Sequence, residues 1–268
     1  MLSVPNLNLK KFYFNIYKNL GFLETFRFLT YCLNFLLYKK LNINSNKIEN
    51  FKYNNLEVFT SYIDGNISTF LEIFEEQEYE YILNLTEKKK IKSFNLIDCG
   101  ANVGYCYSYF KNLNLINKYI GVEPIEYNFK ILFLNTFSKK TTLFNKALWI
   151  NNKGVTFTNT TLSNSNSISK EGTLKVETVT LEELFNILKE DSEDIFLKID
   201  IEGAEYEILE QNLKLIENKV KYFAIEFHNT DKNDYKKYTN PLEKKFRTIE
   251  QYKEKYNCLV LFGIHKNL

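Results

Sequence analysis

The run Phe94-Asn95-Leu96-Ile97-Asp98-Cys99-Gly100-Ala101-Asn102-Val103-Gly104 constrains the fold more than any other part of the chain. An apolar stretch ends in an acid, a glycine-bearing turn follows, and a helical pattern begins at about Val103. That is the pattern of a buried parallel strand feeding a helix through a tight turn, the place where nucleotide-type cofactors meet an α/β sheet. A dinucleotide turn reads G-x-G-x-x-G, whereas here only Gly100 and Gly104 follow Asp98. Without the middle glycine the turn is poorly suited to a pyrophosphate. The spacing D-x-G-x-x-x-G suits S-adenosylmethionine instead. Asp98 would orient the cofactor's ammonium group, and the turn Gly100, Ala101, Asn102 and Gly104 would bring backbone up to its carboxylate and ribose.

The next apolar run, Lys118 to Pro124, ends in Glu123, which lies 25 residues after Asp98. A carboxylate there can accept hydrogen bonds from both ribose hydroxyls, as an acid at a similar distance does in dinucleotide folds. Pro124 then stops the strand, because it has no N–H for the ladder. The plain alternative is that Asp98 caps the helix and Glu123 is simply solvated.

A second charged pattern completes the picture. Parallel central strands are apolar on both faces. Yet in Phe196-Leu197-Lys198-Ile199-Asp200-Ile201-Glu202-Gly203-Ala204-Glu205, three charges, Lys198, Asp200 and Glu202, fall at alternate positions. Gly203 lets the chain turn, and Glu205 would sit in the first turn of the following helix. The run Tyr222 to His228 repeats the arrangement with Glu226 and His228. Neighbouring strands would gather these side chains beside the transferable methyl group. Two chemistries suit them. His228 could take a proton from a substrate hydroxyl as general base. Alternatively Asp200, Glu202 and Glu226 could hold Mg²⁺ or another divalent cation that lowers the pKa of a hydroxyl. Taken singly, Asp200 as a helix cap, Lys198 as its ion-pair partner and His228 as a loop residue are ordinary structural readings. His265 and Trp149 read as structural.

Around these motifs the chain of 268 residues alternates strand and helix from Phe94 onward, which implies a parallel sheet with right-handed crossovers. Strands are expected near 94–98, 119–123, 141–145, 195–200 and 221–227. Short strands at 154–158 and 173–177 joined by the Ser/Asn-rich run Leu162 to Ser169 read either as an inserted hairpin with a mobile tip near the active site or as a plain surface loop. Thr180-Leu181-Glu182-Glu183 opens a helix as a capping box. The tail reads as a charged helix at about 242–256 and an antiparallel edge strand, Cys258 to Ile264. Upstream, 51–63 alternates as a strand or hairpin broken at Asp64-Gly65-Asn66. Ser68 to Leu85 reads as a helix whose Glu72, Glu75, Glu76, Glu78 and Glu80 face solvent. Thr86 to Lys92 reads as a linker. The organisation expected is a helical extension over 1–50, a lead-in over 51–92 and a catalytic domain over 93–268.

Residues 9 to 43 read as an aromatic, basic helix with Glu24 its one acid. No small-residue cleavage site follows an apolar core, and the uncharged run Phe28 to Tyr38 is too short to span a bilayer. A packed cap, a homodimer interface and peripheral contact with an anionic membrane stay open. Net charge of +2 gives no argument for nucleic acid. The four cysteines, Cys32, Cys99, Cys106 and Cys258, form no C-x-x-C pair, which fits a reducing cytoplasm rather than a disulfide framework or a zinc site.

The chain resembles the FkbM family of S-adenosylmethionine-dependent methyltransferases. The matching pieces are Ile97 to Gly104, Gly121-Val122-Glu123-Pro124, Asn145-Lys146-Ala147-Leu148, Val179 to Leu184, Leu197 to Glu205 and Glu226-Phe227-His228. Asp64 to Tyr81 also resembles the segment preceding the cofactor domain in that family, so the likeness covers about 55–230. The resemblance implies a class I methyltransferase (Rossmann-like) α/β fold, a mostly parallel sheet with helices on both faces. It also implies O-methylation, often of sugars of surface glycans or of natural products, and places Asn145 and Ala147 near the adenine. The expected acceptor is a small-molecule hydroxyl on a sugar or sugar nucleotide. The alternatives are a natural-product or nucleic-acid methyltransferase, an inactive binding module of the same fold and, more remotely, a nicotinamide oxidoreductase.

Overall fold

The computed structural model describes residues 9–41, 47–54, 56–62, 65–86, 93–157, 173–231, 234–253 and 257–267. In chain order, helix α1 (Leu9–Lys40) leads into a hairpin of β1 (Ile48–Tyr53) and β2 (Leu56–Ser61). Then come α2 (Asn66–Phe70), a π-helical turn (Leu71–Glu75) and α3 (Glu80–Thr86). The alternating part follows with β3 (Phe94–Cys99), α4 (Tyr105–Asn112), β4 (Ile116–Val122), α5 (Glu126–Thr136) and β5 (Thr141–Phe144). Four short strands, β6 (Ala147–Leu148), β7 (Val155–Phe157), β8 (Leu174–Val176) and β9 (Thr178–Val179), precede α6 (Leu181–Ile187). The chain closes with β10 (Ile195–Ile199), α7 (Glu205–Lys219), β11 (Tyr222–Phe227), α8 (Lys236–Lys245), β12 (Phe246–Lys253) and β13 (Cys258–His265).

Seven strands form one sheet in the order β12-β13-β11-β10-β3-β4-β5. Pairings from β11 through β5 are parallel, and β13 joins β11 and β12 antiparallel. All six residues of β3 are buried, as a central parallel strand covered on both faces requires. One face is covered by an aromatic cluster drawn from α1, the first hairpin, the π turn and α4. In it Phe70 lies 5.0 Å from both Phe28 and Phe51 and 5.7 Å from Tyr105, ring centre to ring centre. The other face packs aliphatic residues of α6 and α7, such as Leu184 and Ile208, onto Leu197 and Phe223. The mostly parallel sheet with helices on both faces read from the sequence is therefore present, and the N-terminal segment supplies one of its cover layers.

Several local expectations are corrected. The hairpin expected over 51–63 forms, although it begins earlier, at Ile48, and turns at Asn54 in the left-handed region at φ 53°; the break expected after it falls at Gly65, with φ 103°, and Asp64 lies outside the described residues. The helix expected over 68–85 is interrupted, because the π turn and Gln77 at φ 55° change the direction and phase of the chain. As a result Glu72 and Glu78 point inward and not to solvent. Glu75 has both carboxylate oxygens buried, and burial raises its pKa to about 7. The charged helix expected at 242–256 ends at Lys245, and 246–253 is the edge strand β12; β13 therefore lies one strand in from the edge. Gly21 breaks α1 with φ 75° and ψ 175°. The segment Leu20–Lys40 is long and apolar enough by length and composition to cross a membrane, longer than the run of 28–38 suggested, and 28% of its apolar window is buried. The hairpin read at 154–158 and 173–177 forms between β7 and β8, and the capping box between Thr180 and Glu183 is complete. The Ser/Asn-rich tip at 162–169 and linker residues 87–92 lie outside the described residues.

Candidate active site

The carboxyl ends of β3, β4, β10 and β11 converge, and each delivers one of the sequence motifs. After β3 the backbone folds back, with the N–H groups of Gly100 and Ala101 donating to Val122 O at 3.0 and 2.9 Å. Gly100 has φ 76°, and a Cβ there would lie 1.7 Å from the carbonyl oxygen of Asp200. The first motif is thus pressed against the second, and only glycine permits it. Asn102 also adopts the left-handed region, and its N–H donates to Glu123 Oε2 at 2.9 Å. Ile125 N–H donates to Oε1 of the same carboxylate at 2.9 Å. Burial raises the Glu123 pKa to about 7 against the pull of those two backbone donors. Asn145 Nδ2 donates to the carbonyls of Glu123 and Pro124 at 2.9 and 3.1 Å and braces the end of β4. A cleft opens over this frame, lined by Gly100, Asn102, Glu123, Pro124, Ala147 and Asp200 among others.

Asp98 is placed differently from the sequence expectation. It is fully buried beneath the turn; Oδ2 accepts from Tyr119 OH at 2.9 Å, and Oδ1 lies 3.4 Å from Lys198 Nζ. Lys198 in turn donates to Gly100 O at 2.7 Å and meets Asp200 Oδ2 at 3.2 Å. Burial opposes its charge, but Asp200 and Asp98 outweigh that and raise its pKa. Enclosed in this way, Asp98 positions the turn through Lys198 and presents no oxygen to the cleft for an ammonium group. Lys198, read as catalytic, likewise holds the frame together.

A second cavity of about 330 Å³ adjoins the cleft and shares Gly100, Asn102, Asp200 and Glu202 with it. Its wall carries Glu72, Glu78, Glu226, His228 and Lys253. Lys253 Nζ reaches Glu78 Oε1 at 2.5 Å and Glu226 Oε2 at 3.3 Å. Burial opposes the Lys253 charge, and Glu78, Glu226 and Glu72 together overcome it and raise its pKa. Burial raises the pKa of Glu72 to about 7 despite Lys253. Glu202 stands in the left-handed region at φ 57°; burial raises its pKa to about 8, with His228 pulling the other way and Asp200 adding to the rise. Burial also opposes ionisation of Asp200, but Lys198 and His228 prevail and lower its pKa.

His228 is held from behind. Its Nδ1 lies 3.0 Å from Glu205 Oε1, its own N–H donates to that oxygen at 2.5 Å, and its carbonyl accepts from Tyr206 OH at 2.7 Å. Nε2 points at Asp200 Oδ1, Glu202 Oε2 and Glu226 Oε1, at 3.8, 3.7 and 3.7 Å. Burial disfavours the imidazolium, yet the hydrogen bond and charge of Glu205, joined by Asp200 and Glu226, push its pKa up to about 10.

The sequence brought Asp200, Glu202, Glu226 and His228 together, as found. The sequence patterns do not reveal Glu72, Glu78 and Lys253, which reach the cavity from the π turn, the turn after it and the end of β12. Nor do they reveal the second role of Glu205, fully buried and gripping His228. The spacing of Glu205 from the Gly203 turn was a usable signal, since a carboxylate there can reach back to Gly203 N–H, which donates to it at 2.8 Å.

The family model for the methyltransferase FkbM domain matches residues 98–257, more than half of the chain. No curated protein matches the sequence. Among solved structures, a methyltransferase FkbM from Methylobacillus flagellatus is 17% identical with a TM-score of 0.47, covering 64% of this chain and 44% of that one. An rRNA methylase from Streptococcus thermophilus is 9% identical, TM-score 0.42, over 70% of this chain and 95% of that one. A putative tRNA (m1A22) methyltransferase from Streptococcus pneumoniae in complex with S-adenosyl-L-methionine is 13% identical, TM-score 0.40, over 69% of this chain and 72% of that one. Likenesses of this grade carry nothing about substrate. The match over 98–257 runs through every motif gathered above, from the turn after β3 to His228, and the chain belongs to the FkbM methyltransferase family.

Proposed function

We propose that this protein transfers the methyl group of S-adenosylmethionine to a hydroxyl of a small, uncharged, polyhydroxylated acceptor, with a sugar as the preferred class. The observation that carries the reading is the pair of adjoining cavities that meet at Gly100, Asn102, Asp200 and Glu202. The first would take the cofactor, with its ribose on Glu123 and its adenine toward Ala147. The second would take the acceptor. Its carboxylates outnumber its lysines, so a phosphate-bearing strand would meet repulsion there, while hydroxyl groups would find acceptors. This supports an acceptor other than nucleic acid and, for a sugar nucleotide, one whose phosphates would stay outside the cavity.

The reaction is an in-line displacement. The acceptor oxygen forms a bond to the methyl carbon as the carbon–sulfur bond breaks, and the sulfur keeps the electron pair as S-adenosylhomocysteine. Most of the gain comes from alignment of nucleophile and methyl. The hydroxyl proton passes to Glu202, which borders both cavities and whose pKa of about 8 suits a base in mildly alkaline solution. With no cation bound, His228 keeps its own proton up to about pH 10, so it contributes charge and orientation, and the general-base role read from the sequence moves to Glu202.

Release of S-adenosylhomocysteine measured against neutral glycosides, sugar nucleotides and RNA tests the reading. Turnover with a neutral glycoside and none with RNA is expected. RNA methylation that falls with rising salt would overturn the acceptor class. Failure to bind S-adenosylmethionine at all would favour a binding module that merely keeps the fold.

A further inference from the structure

The inner atoms of Asp200, Glu226 and His228 converge, while their outer atoms are held from behind. Asp200 Oδ2 is held by Lys198 Nζ at 3.2 Å, Glu226 Oε2 by Lys253 Nζ at 3.3 Å, and His228 Nδ1 by Glu205 Oε1 at 3.0 Å. That leaves Asp200 Oδ1 and Glu226 Oε1 at 3.8 and 3.7 Å from His228 Nε2, and one ligand atom from each of the three lies within 4.8 Å of the others. Cys258 Sγ is 3.0 Å from Glu226 Oε1 and is a weak donor, which leaves that oxygen a lone pair facing Nε2. In a coordination shell with bonds of about 2.0–2.2 Å, neighbouring ligand atoms lie roughly 3–4 Å apart. The two separations from Nε2 fall at that spacing, and the third lies within 4.8 Å.

The support behind the histidine is the second observation. Glu205 is fully buried and touches Nδ1, the ring atom that faces away from the cluster. A buried carboxylate on one ring nitrogen fixes the tautomer and presents the other nitrogen's lone pair, the arrangement found behind metal-bound histidines. The two lysines do the same for the carboxylates, since each neutralises one oxygen and leaves the other to face inward. They do not neutralise the cluster. Lys198 is shared with Asp98, and Lys253 with Glu78 and, at 3.9 Å, Glu72.

We propose that Asp200, Glu226 and His228 bind one divalent transition-metal cation at the mouth of the acceptor cavity, with its remaining positions open to oxygen atoms of the acceptor. One imidazole with two carboxylates suits Mn²⁺, Fe²⁺, Co²⁺ or Zn²⁺ better than Ca²⁺ or Mg²⁺. Binding of the cation releases the proton that His228 holds in the metal-free protein, so that Nε2 becomes a ligand while Nδ1 keeps its contact with Glu205. As the acceptor is a hydroxyl compound on the reading above, the cation grips a vicinal diol and lowers the pKa of the attacking hydroxyl, and Glu202, 3.7 Å from Nε2, stands beside it to take the proton.

The test uses the full chain, freed of metal by a chelator and titrated with Mn²⁺ while free Mn²⁺ is followed by electron paramagnetic resonance. One bound Mn²⁺ per chain is expected, with affinity reduced at least tenfold in His228→Asn and in Asp200→Asn. Glu205→Gln, which cannot touch the ion, is expected to weaken binding about 10- to 100-fold by loosening the histidine. Should these variants not fold, pulsed resonance on Mn²⁺-loaded wild type still decides, because it reports a directly bound imidazole nitrogen. No saturable Mn²⁺, Co²⁺ or Zn²⁺ binding, binding indifferent to His228 and Asp200, or a Mn²⁺ signal without nitrogen coupling would overturn the proposal. Binding of S-adenosylhomocysteine by a protein that takes up no cation would remove the metal and leave the methyltransferase reading standing. Cation uptake without affinity for S-adenosylhomocysteine would do the reverse.

Discussion

Gly100→Ala tests whether the two halves of the site are physically locked together. The new methyl would lie 1.7 Å from Asp200 O, 2.8 Å from its carbonyl carbon and 3.3 Å from Ile201 Cγ2. The first two contacts are to backbone, so relief requires the β3 and β10 turns to move apart. A left-handed residue costs about 1–2 kcal/mol without glycine, and forced overpacking adds about 1–3 kcal/mol. The expected destabilisation is the sum, about 2–5 kcal/mol, a large part of a typical domain's 5–15 kcal/mol. Gly154→Ala is the control, because φ is 79° there and the nearest atom is Val176 O at 3.2 Å. It carries the strain with a far milder contact and should cost about 1–2 kcal/mol. Urea unfolding by circular dichroism measures both, and calorimetry with S-adenosylhomocysteine measures what remains of the site. Equal losses in the two variants, within about 0.5 kcal/mol, would refute the idea that the Asp200 carbonyl dictates glycine at 100.

Lys198→Met should destabilise by about 3–5 kcal/mol because it strands the buried Asp98, and pairing it with Asp98→Asn should recover part of that loss in urea unfolding. Asn135→Ala removes the side chain that accepts from Phe59 N at 2.7 Å and donates to Phe59 O and Val103 O at 2.9 and 2.7 Å. It should cost about 2–4 kcal/mol and weaken cofactor binding, since it ties the first hairpin to the cofactor turn. Glu123 has its pKa raised from 4.5 to about 7 by burial, so the folded protein holds that proton more firmly than the unfolded chain. Its contribution to stability is therefore full below about pH 4.5 and lost as pH rises to about 7, and Glu123→Gln should flatten that slope in unfolding experiments. Because ribose hydroxyls donate to the ionised form, S-adenosylhomocysteine affinity should fall up to about tenfold per unit below pH 7 in wild type and not in Glu123→Gln.

Which features were legible in the sequence, and which were hidden, divides along physical lines. The ends of β3, β4, β10 and β11 were readable because an apolar run followed by an acid and a glycine is dictated locally. The neighbourhood of Asp200, Glu226 and His228 followed from the rule that parallel strands present their carboxyl ends together. The role of Asp98 was not readable, because its partners Tyr119 and Lys198 come from strands on either side and the pairing is a matter of register. Glu72 and Glu78 were misassigned to solvent because a regular helical period was assumed where a π turn and Gln77 shift the phase. Lys253 was hidden in a charged stretch that forms a strand only because β13 pairs with it. Glu205 looked like an ordinary first-turn acid, and its hold on His228 depends on the tertiary approach of β11 to α7.

The most direct test of the proposed site is a crystal structure with S-adenosylhomocysteine bound. The expected result is the ribose on the Glu123 carboxylate, the amino-acid end against Gly100 and Asn102, and the sulfur directed toward the cavity bordered by Glu202 and His228. A ligand seated elsewhere, or pointing its sulfur away from that cavity, would contradict it.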